Sequence, residues 1–412
     1  MLHGSLLIAA SLVGYMAYVS IQPTLPTCVN WDATTLTNLQ TARQPVRLVG
    51  SPTSTHWNTS HWTLAHVVSR LPASVSMQYA PSSVFRHYDP NMELAPRFPP
   101  TSQTTTVVRE DVLALLDATG DGSYYLNDEL HRLAPDLVPD VPLAGLVGPA
   151  AASSVMVKLW LGGPHVVANL HYDATHNLFH QVVGSKRFLL FPPSAHASLY
   201  LFSRLHPSHR QSQLDLTRPR SELVKAFPAF DDVEEMLLDI TLAPGESLYL
   251  PPFWFHCVLT TTPSVSVNLW TDAEEVGFLA NALADPVPYL ANLEASGVVH
   301  DLNSHLGHLQ LFVRLVLSRC VLDTQTALQQ LVANQDRYLP RVHVTCGVLT
   351  SPMIAEATLQ PYVDALVAAS FDRMGDDSAK TLLVLSYVEA LLAQFMAPTV
   401  VGNFLAQCVA PE

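Results

Sequence analysis

His171-Tyr172-Asp173, followed after a long gap by His256 in Trp254-Phe255-His256, is the group in this 412-residue chain best suited to chemistry. Two imidazoles and one carboxylate form the usual set for holding a non-heme Fe(II) on one face, with the opposite positions open to a cosubstrate and O2. An oxygenase is the activity such a set serves. The offset of two carries the argument: on a β-strand, residues i and i+2 share a face, so His171 and Asp173 reach one ion while Leu170 and Tyr172 point away. His256 must then come from a later strand that returns beside the first. A lone His-x-Asp on a surface strand is more often a solvated pair, so the surrounding residues decide its meaning.

In Ser185 to Phe191 (SKRFLLF), alternation puts Lys186 on the face of Phe188 and Leu190, or else Lys186 faces solvent. Inside a barrel an unpaired ammonium costs several kcal/mol. A dicarboxylate cosubstrate such as 2-oxoglutarate would neutralise it. In Val265 to Trp270 (VSVNLW), Ser266, Asn268 and Trp270 share one face. Turned inward, Asn268 would donate to a carboxylate bound at the metal and Trp270 would wall the pocket. Leu242 to His256 (LAPGESLYLPPFWFH) reads as a turn, a strand and a proline-stiffened aromatic segment that holds His256. Of the other histidines, His176 and His180 do not share the face set by His171 and Asp173 and are read as non-ligands.

These residues need strands to place them. Ser153 to Leu161, Ala168 to Asp173, Lys186 to Phe191, Glu246 to Tyr249 and Val265 to Trp270 are β-branched and aromatic runs punctuated by Gly and Pro. They predict a β-sandwich or barrel with the ligands lining its interior. Upstream, Gln22 to about Pro52 reads as a Thr- and Pro-rich linker, Ser69 to Val84 as edge strands, Arg97 to Thr106 as a surface loop and Val108 to Ala118 as a helix. From about Asp272 the pattern turns helical over His305 to Arg319, Met353 to Arg373 and Lys380 to Met396, and Ser351-Pro352 is a helix-start signal. Thr381 to Ala410 is apolar but interrupted by Glu389 and Pro398, which suits a buried helix pair or a dimer face.

Composition excludes some functions. With 49% hydrophobic and 14% charged residues the chain is a well-buried globular protein, not a disordered one. A net charge of −14, from 21 Lys+Arg against 35 Asp+Glu, disfavours nucleic-acid backbone binding. Five scattered cysteines without a C-x-x-C pair argue against a structural zinc site and a dense disulfide framework. Leu6 to Ile21 is an uncharged apolar run near the first Met, read as a targeting or anchor segment in preference to a buried helix, although no Lys or Arg precedes Arg43. Asn58-Thr59-Ser60 is a glycosylation sequon consistent with secretory routing; a cytoplasmic location is the alternative.

Four ordered segments carry a resemblance: LWLGGPHVVANLHYDATHNLFHQVVGSKRFLLFPP, LHPSHRQSQLDL, APGESLYLPPFWFH and VSVNLW. Together they resemble the JmjC-type (cupin-8) Fe(II) and 2-oxoglutarate-dependent oxygenases, especially the small hydroxylases typified by the asparaginyl hydroxylase acting on hypoxia-inducible factor. Likeness covers roughly Trp57 to Asp272, with VFRHYDP and YYLNDEL matching more loosely. The resemblance implies a mainly β fold with added helices: a double-stranded β-helix (cupin, jelly-roll) core followed by C-terminal helices that often dimerise. With the residue-level readings, the chain divides into an apolar targeting or anchor segment 1–27, a linker 28–56, an oxygenase domain 57–272 and a helical region 273–412. The resemblance implies Fe(II) on His171, Asp173 and His256, the distal carboxylate of 2-oxoglutarate on Lys186 and Tyr125 (Tyr124 being the alternative), Asn177 and Asn268 near the metal-bound end, and Trp270 behind the site. One position departs from the family: Ala168 stands where a Thr or Ser usually bonds the distal carboxylate.

The leading expectation is therefore hydroxylation of a protein or peptide side chain by Fe(II), O2 and 2-oxoglutarate. A tRNA or nucleoside hydroxylase of the same fold is disfavoured by charge, and histone demethylation by the lack of an accompanying zinc or chromatin-reading module. From another class comes a non-catalytic binding protein that keeps the barrel, motivated by Ala168 and opposed by the three retained ligands.

Overall fold

The computed structural model describes residues 27–28, 33–50, 56–118, 122–143, 146, 155–295, 301–349 and 351–410. The apolar run Leu6 to Ile21 lies outside the described residues, and among the described ones no helix is long and apolar enough to cross a membrane. Two compact units are formed. The first takes the chain up to His87, then Pro100–Pro192 and Leu214–Ala273; the second takes Tyr88–Pro99, Pro193–Gln213 and the chain from Glu274 onward.

Every described strand belongs to the first unit. In order they are β1 (Thr27–Cys28), β2 (Val46–Leu48), β3 (Ser74–Ala80), β4 (Val84–Phe85), β5 (Gln103–Val108), β6 (Ser123–Glu129) and β7 (Met156–Gly162). There follow β8 (Val167–Tyr172), β9 (His176–Val183), β10 (Lys186–Phe191), β11 (Leu238–Leu242), β12 (Ser247–Leu250), β13 (Phe255–Thr260) and β14 (Ser264–Thr271). They build a nine-stranded sheet, β1-β2-β12-β9-β14-β7-β6-β3-β5, and a five-stranded sheet, β11-β10-β13-β8-β4. Pairing is antiparallel except for β1 with β2 and β4 with β8.

Alternation sorts the side chains between two cores. Phe179, Leu248 and Leu250 from the larger sheet meet Phe188, Leu190, Leu242 and Val258 from the smaller, closing a jelly-roll interior. On the other face of the larger sheet, Leu126, Leu159, Leu161, Leu178, Val265 and Val267 pack with Val67, Val112 and Leu130 from short helices. Both faces of the central strands are thereby buried. This is the jelly-roll core expected from the sequence.

Several boundaries differ from the sequence expectations. Within the stretch 28–56, read as a linker, Ala33–Ala42 is helical and β2 pairs antiparallel with β12. A three-residue strand takes its stability from its ladder partner, so it leaves no local signal. The loop expected over Arg97 to Thr106 gives way to β5 from Gln103, because Thr104 to Thr106 pair with β3. Two pieces of the expected 57–272 domain, Tyr88–Pro99 and Pro193–Gln213, belong to the second unit.

The second unit is helical. Its longer helices are Glu274–Ala284, Leu302–Cys320, Thr324–Gln335, Pro352–Ala369 and Asp377–Leu392. Asp301, Asp323 and Asp376 cap three of them, each side chain accepting a backbone N–H three residues on. Pro352 opens its helix at the first position, as Ser351-Pro352 predicts. The helix Asp377–Leu392 is buried on nearly every side, so its all-round apolar character is used within the chain. Its one buried carboxylate, Glu389, accepts from Ser203 Oγ at 2.6 Å, the Arg204 N–H at 2.9 Å and Gln335 Nε2 at 2.5 Å. Burial raises its pKa to about 7.

Candidate metal centre

His171 and His256 are opposite one another on the antiparallel pair β8 and β13. Asp173 follows β8 directly, and the Phe253 N–H donates to its carbonyl at 2.8 Å, tying the strand end to the turn before β13. The three side chains converge: one ligand atom from each lies within 4.8 Å of the others. His256 Nε2 is 3.7 Å from Asp173 Oδ2, and the two imidazole centroids are 4.2 Å apart.

The backbone sets both imidazoles in the same state. His171 Nδ1 lies 2.6 Å from the Asn169 carbonyl and His256 Nδ1 lies 3.1 Å from the Trp254 carbonyl. A carbonyl can only accept, so Nδ1 carries the proton and Nε2 presents its lone pair to the cluster. Two imidazoles and a carboxylate placed this way could hold a metal ion.

A bulge in β8 shapes the neighbourhood. His256 pairs with His171 and Val258 with Ala168, so Asn169 and Leu170 together oppose the single Cys257. The extra residue reverses the alternation. Ala168 and His171, three apart, therefore share the interior face, with Ala168 packed against the interior core. The same bulge supplies the Asn169 carbonyl that orients His171.

Lys186 enters the interior from β10. It is only 1% exposed, and among the described residues its Nζ has no hydrogen-bond partner. Aromatic rings approach it: the Tyr125 centroid is 5.5 Å away and that of Phe179 5.4 Å. Burial lowers its pKa to about 7. Tyr125 faces inward beside Phe85 and Trp160, whereas Tyr124 packs on Tyr79 and against the outer core. Of the two tyrosines left open by the sequence, Tyr125 is the one whose ring lies beside Lys186.

Asn177 and Asn268 are joined to each other, Asn268 Nδ2 donating to Asn177 Oδ1 at 3.1 Å, and Trp160 Nε1 donates to Asn268 Oδ1 at 2.7 Å. Trp270, on the same face of β14 as Asn268, has the Lys158 ammonium 4.7 Å above its ring. The two rejected histidines bond on the other face of β9, His176 Nδ1 at 2.7 Å from Tyr249 Oη and His180 Nδ1 at 2.9 Å from Ser247 Oγ. Burial lowers the His180 pKa to about 4, so it stays neutral.

A family model described as a cupin-like domain matches residues 33–275. The chain belongs to the cupin-like domain family. Within that family, the chain is 32% identical over 153 residues to the Jumonji C domain-containing protein 5 of Drosophila melanogaster, covering 36% of each chain. To the lysine-specific demethylase JMJ30 of Arabidopsis thaliana it is 33% identical over 151 residues, 36% of this chain and 32% of that one. To the human bifunctional peptidase and (3S)-lysyl hydroxylase JMJD7 it is 30% identical over 166 residues, 36% of this chain and 51% of that one. The matches thus span about a third to a half of these relatives. The JmjC resemblance read from the sequence stands.

Two residues of this cupin-like pocket escaped the sequence reading. Thr260, 3% exposed, ends β13 directly opposite Lys186 and so shares its face. Thr260 Oγ1 and the Tyr125 ring both border Gly162, 3.5 and 3.3 Å from where a Cβ on it would stand. Four residues after His256 on one strand is the same face, so the signal existed once β13 was recognised. Lys158, across from Glu129 on β6 and Asn268 on β14, is the other. Burial pulls its pKa down against the carboxylates of Asp128, Asp173 and Glu129.

Proposed function

We propose that this chain is an Fe(II)- and 2-oxoglutarate-dependent oxygenase that hydroxylates a side chain of a protein or peptide. The observation that carries the reading is the convergence of His171, Asp173 and His256 within 4.8 Å, with Nδ1 of each imidazole turned to a backbone carbonyl. Similarity to a lysyl hydroxylase and to JmjC proteins supports it.

The residues fit the cosubstrate as well as the metal. A buried ammonium without a partner is the clearest sign of an anion site. Lys186 would hold the distal carboxylate of 2-oxoglutarate, with the Tyr125 hydroxyl and the Thr260 hydroxyl beside it. Thr260 supplies from β13 the hydroxyl that Ala168 lacks on β8. Asn177 and Asn268 would orient the other end, one amide hydrogen of Asn268 remaining after its bond to Asn177. Trp160 and Trp270 wall this region and limit access of water. With Fe(II) and 2-oxoglutarate bound, O2 would be used to convert a substrate C–H to C–OH, releasing succinate and CO2.

Purified chain supplied with Fe(II), 2-oxoglutarate and candidate peptides is expected to release succinate, and Asp173→Ala to release none. Absence of both succinate release and metal binding by the parent chain would overturn the proposal. A second reading, removal of an N-methyl group from lysine, is favoured by the similarity to lysine-specific demethylases. Mass spectrometry of the peptide product separates them. Gain of one oxygen marks hydroxylation, and loss of a methyl group with formaldehyde marks demethylation.

A further inference from the structure

The C-terminal region holds a crosslink that the metal centre does not use. Cys346 and Cys408, 62 positions apart in sequence, are joined by a disulfide. Cys346 lies in the stretch 340–349, which forms neither helix nor strand, and Cys408 in the helical turn Leu405–Val409. Little apolar burial holds that stretch, since Val342 is 39% and Val348 62% exposed. Its other ties are polar: Asn403 Oδ1 accepts from the Val342 N–H at 2.9 Å, Gln407 Nε2 donates to the Val342 carbonyl at 2.7 Å, and Gln407 Oε1 accepts from the Val344 N–H at 3.1 Å. Cys346 is itself only half-buried. An accessible crosslink of this kind is reduced by the cytosolic thiol pool and persists in an oxidising compartment.

The remaining cysteines whose side chains are described suit such a compartment. Cys257 and Cys320 are buried. Burial pushes both thiols up, that of Cys320 to about 12, so neither offers a thiolate to an oxidant.

An independent feature in the first unit needs the same compartment. Asn58-Thr59-Ser60 is the single Asn-x-Ser/Thr sequence of the chain. It occupies a surface bend in which Asn58 and Ser60 are exposed. Asn58 Nδ2 donates to Asp140 Oδ1 at 3.1 Å. An N-linked glycan replaces one of the two amide hydrogens, and the other remains for Asp140.

We propose that the chain matures in an oxidising secretory lumen, where Cys346 and Cys408 are joined and Asn58 accepts an N-linked oligosaccharide. In the first step the two thiols exchange with the disulfide of an oxidising dithiol donor. The protein S–S bond forms, the donor's breaks, and the donor leaves as a dithiol carrying both protons. In the second step Asn58 Nδ2 displaces polyprenyl diphosphate from the anomeric carbon of a polyprenyl-diphosphate-linked oligosaccharide. One C–N bond forms, one C–O bond breaks, and the amide proton passes to the transferase.

The test uses the full chain recovered from the cells that make it, alkylated during lysis. Peptide-N-glycosidase F is expected to lower the mass of the parent chain by one glycan and to leave Asn58→Gln unchanged. Ser60→Ala removes the sequon while keeping the Asn58 bond to Asp140, so it gives the same answer should Asn58→Gln fail to fold. Cys346 and Cys408 are expected to take up label only after reduction. An unshifted parent chain, or labelling of Cys346 before reduction, overturns the proposal.

Discussion

The Thr260 hydroxyl and the Ala168 methyl face one interior from neighbouring strands, and their exchange of roles is open to measurement. A hydrogen bond to a charged group contributes about 1.5–3 kcal/mol. Thr260→Val is therefore expected to weaken 2-oxoglutarate binding at least about tenfold, with metal affinity unchanged. Adding Ala168→Thr to that variant is expected to restore the loss. Titration calorimetry with Mn(II) in place of Fe(II) reads both without turnover, and an unchanged affinity in Thr260→Val would remove Thr260 from the site. Lys186 gives the pocket a pH dependence. Because burial sets its pKa at about 7, the empty pocket holds an ammonium below that pH and a neutral amine above it. A dicarboxylate needs the ammonium, so affinity is expected to fall about tenfold per pH unit above that value. Binding near pH 8 should take up a proton, visible as a dependence of the heat on buffer ionisation.

Among elements, β10 is held in register by more than its ladder. Arg187 and Asp239, each side chain 9% exposed, join the outward faces of β10 and β11 through two hydrogen bonds. Removing the carboxylate would leave a buried guanidinium without it, a change that costs about 3–5 kcal/mol. Asp239→Ala is expected to lower the urea midpoint accordingly. In the second unit, the helix Asp377–Leu392 carries a titrating anchor. Glu389 is raised from an ordinary value of 4.5 to about 7, first by burial, against the hydrogen bonds it accepts. A raised folded pKa means the folded state holds a proton that the unfolded chain has released. The contribution is full below pH 4.5 and lost as pH rises through about 7. Glu389→Gln should remove that slope, worth on the order of 3 kcal/mol across the window, from denaturation curves recorded between these pH values.

For the whole molecule, the two units are stabilised by different means. The first buries apolar residues on both faces of its larger sheet. The second adds the Cys346–Cys408 bond to its helix packing. Closing a loop of 62 positions removes unfolded-state entropy worth ~4 kcal/mol in the chain-entropy picture. Cys346→Ser is expected to lose most of that, and reductant should bring the parent chain to the same midpoint. A midpoint insensitive to both would show that helix packing alone holds the C-terminus.

Much of the candidate site was legible in the chain because it rests on a local rule. Alternation with period two places His171 with Asp173, and Lys186 with Phe188 and Leu190, whatever the rest of the fold does. Likewise the helical periods after Asp272 announced the second unit, since an apolar stripe repeats within a few turns. What alternation cannot carry is pairing. The bulge that brings Ala168 to the face of His171, the choice of Tyr125 over Tyr124, and the position of Thr260 opposite Lys186 all depend on which distant strands lie side by side. Register is a long-range property, settled when two sheets close on one interior and every strand must bury the correct face. Short strands such as β2 and β5 were hidden for the same reason. The residue types and spacing determined which chemistry this chain could hold, and only the closure of the jelly roll decided which side chains meet.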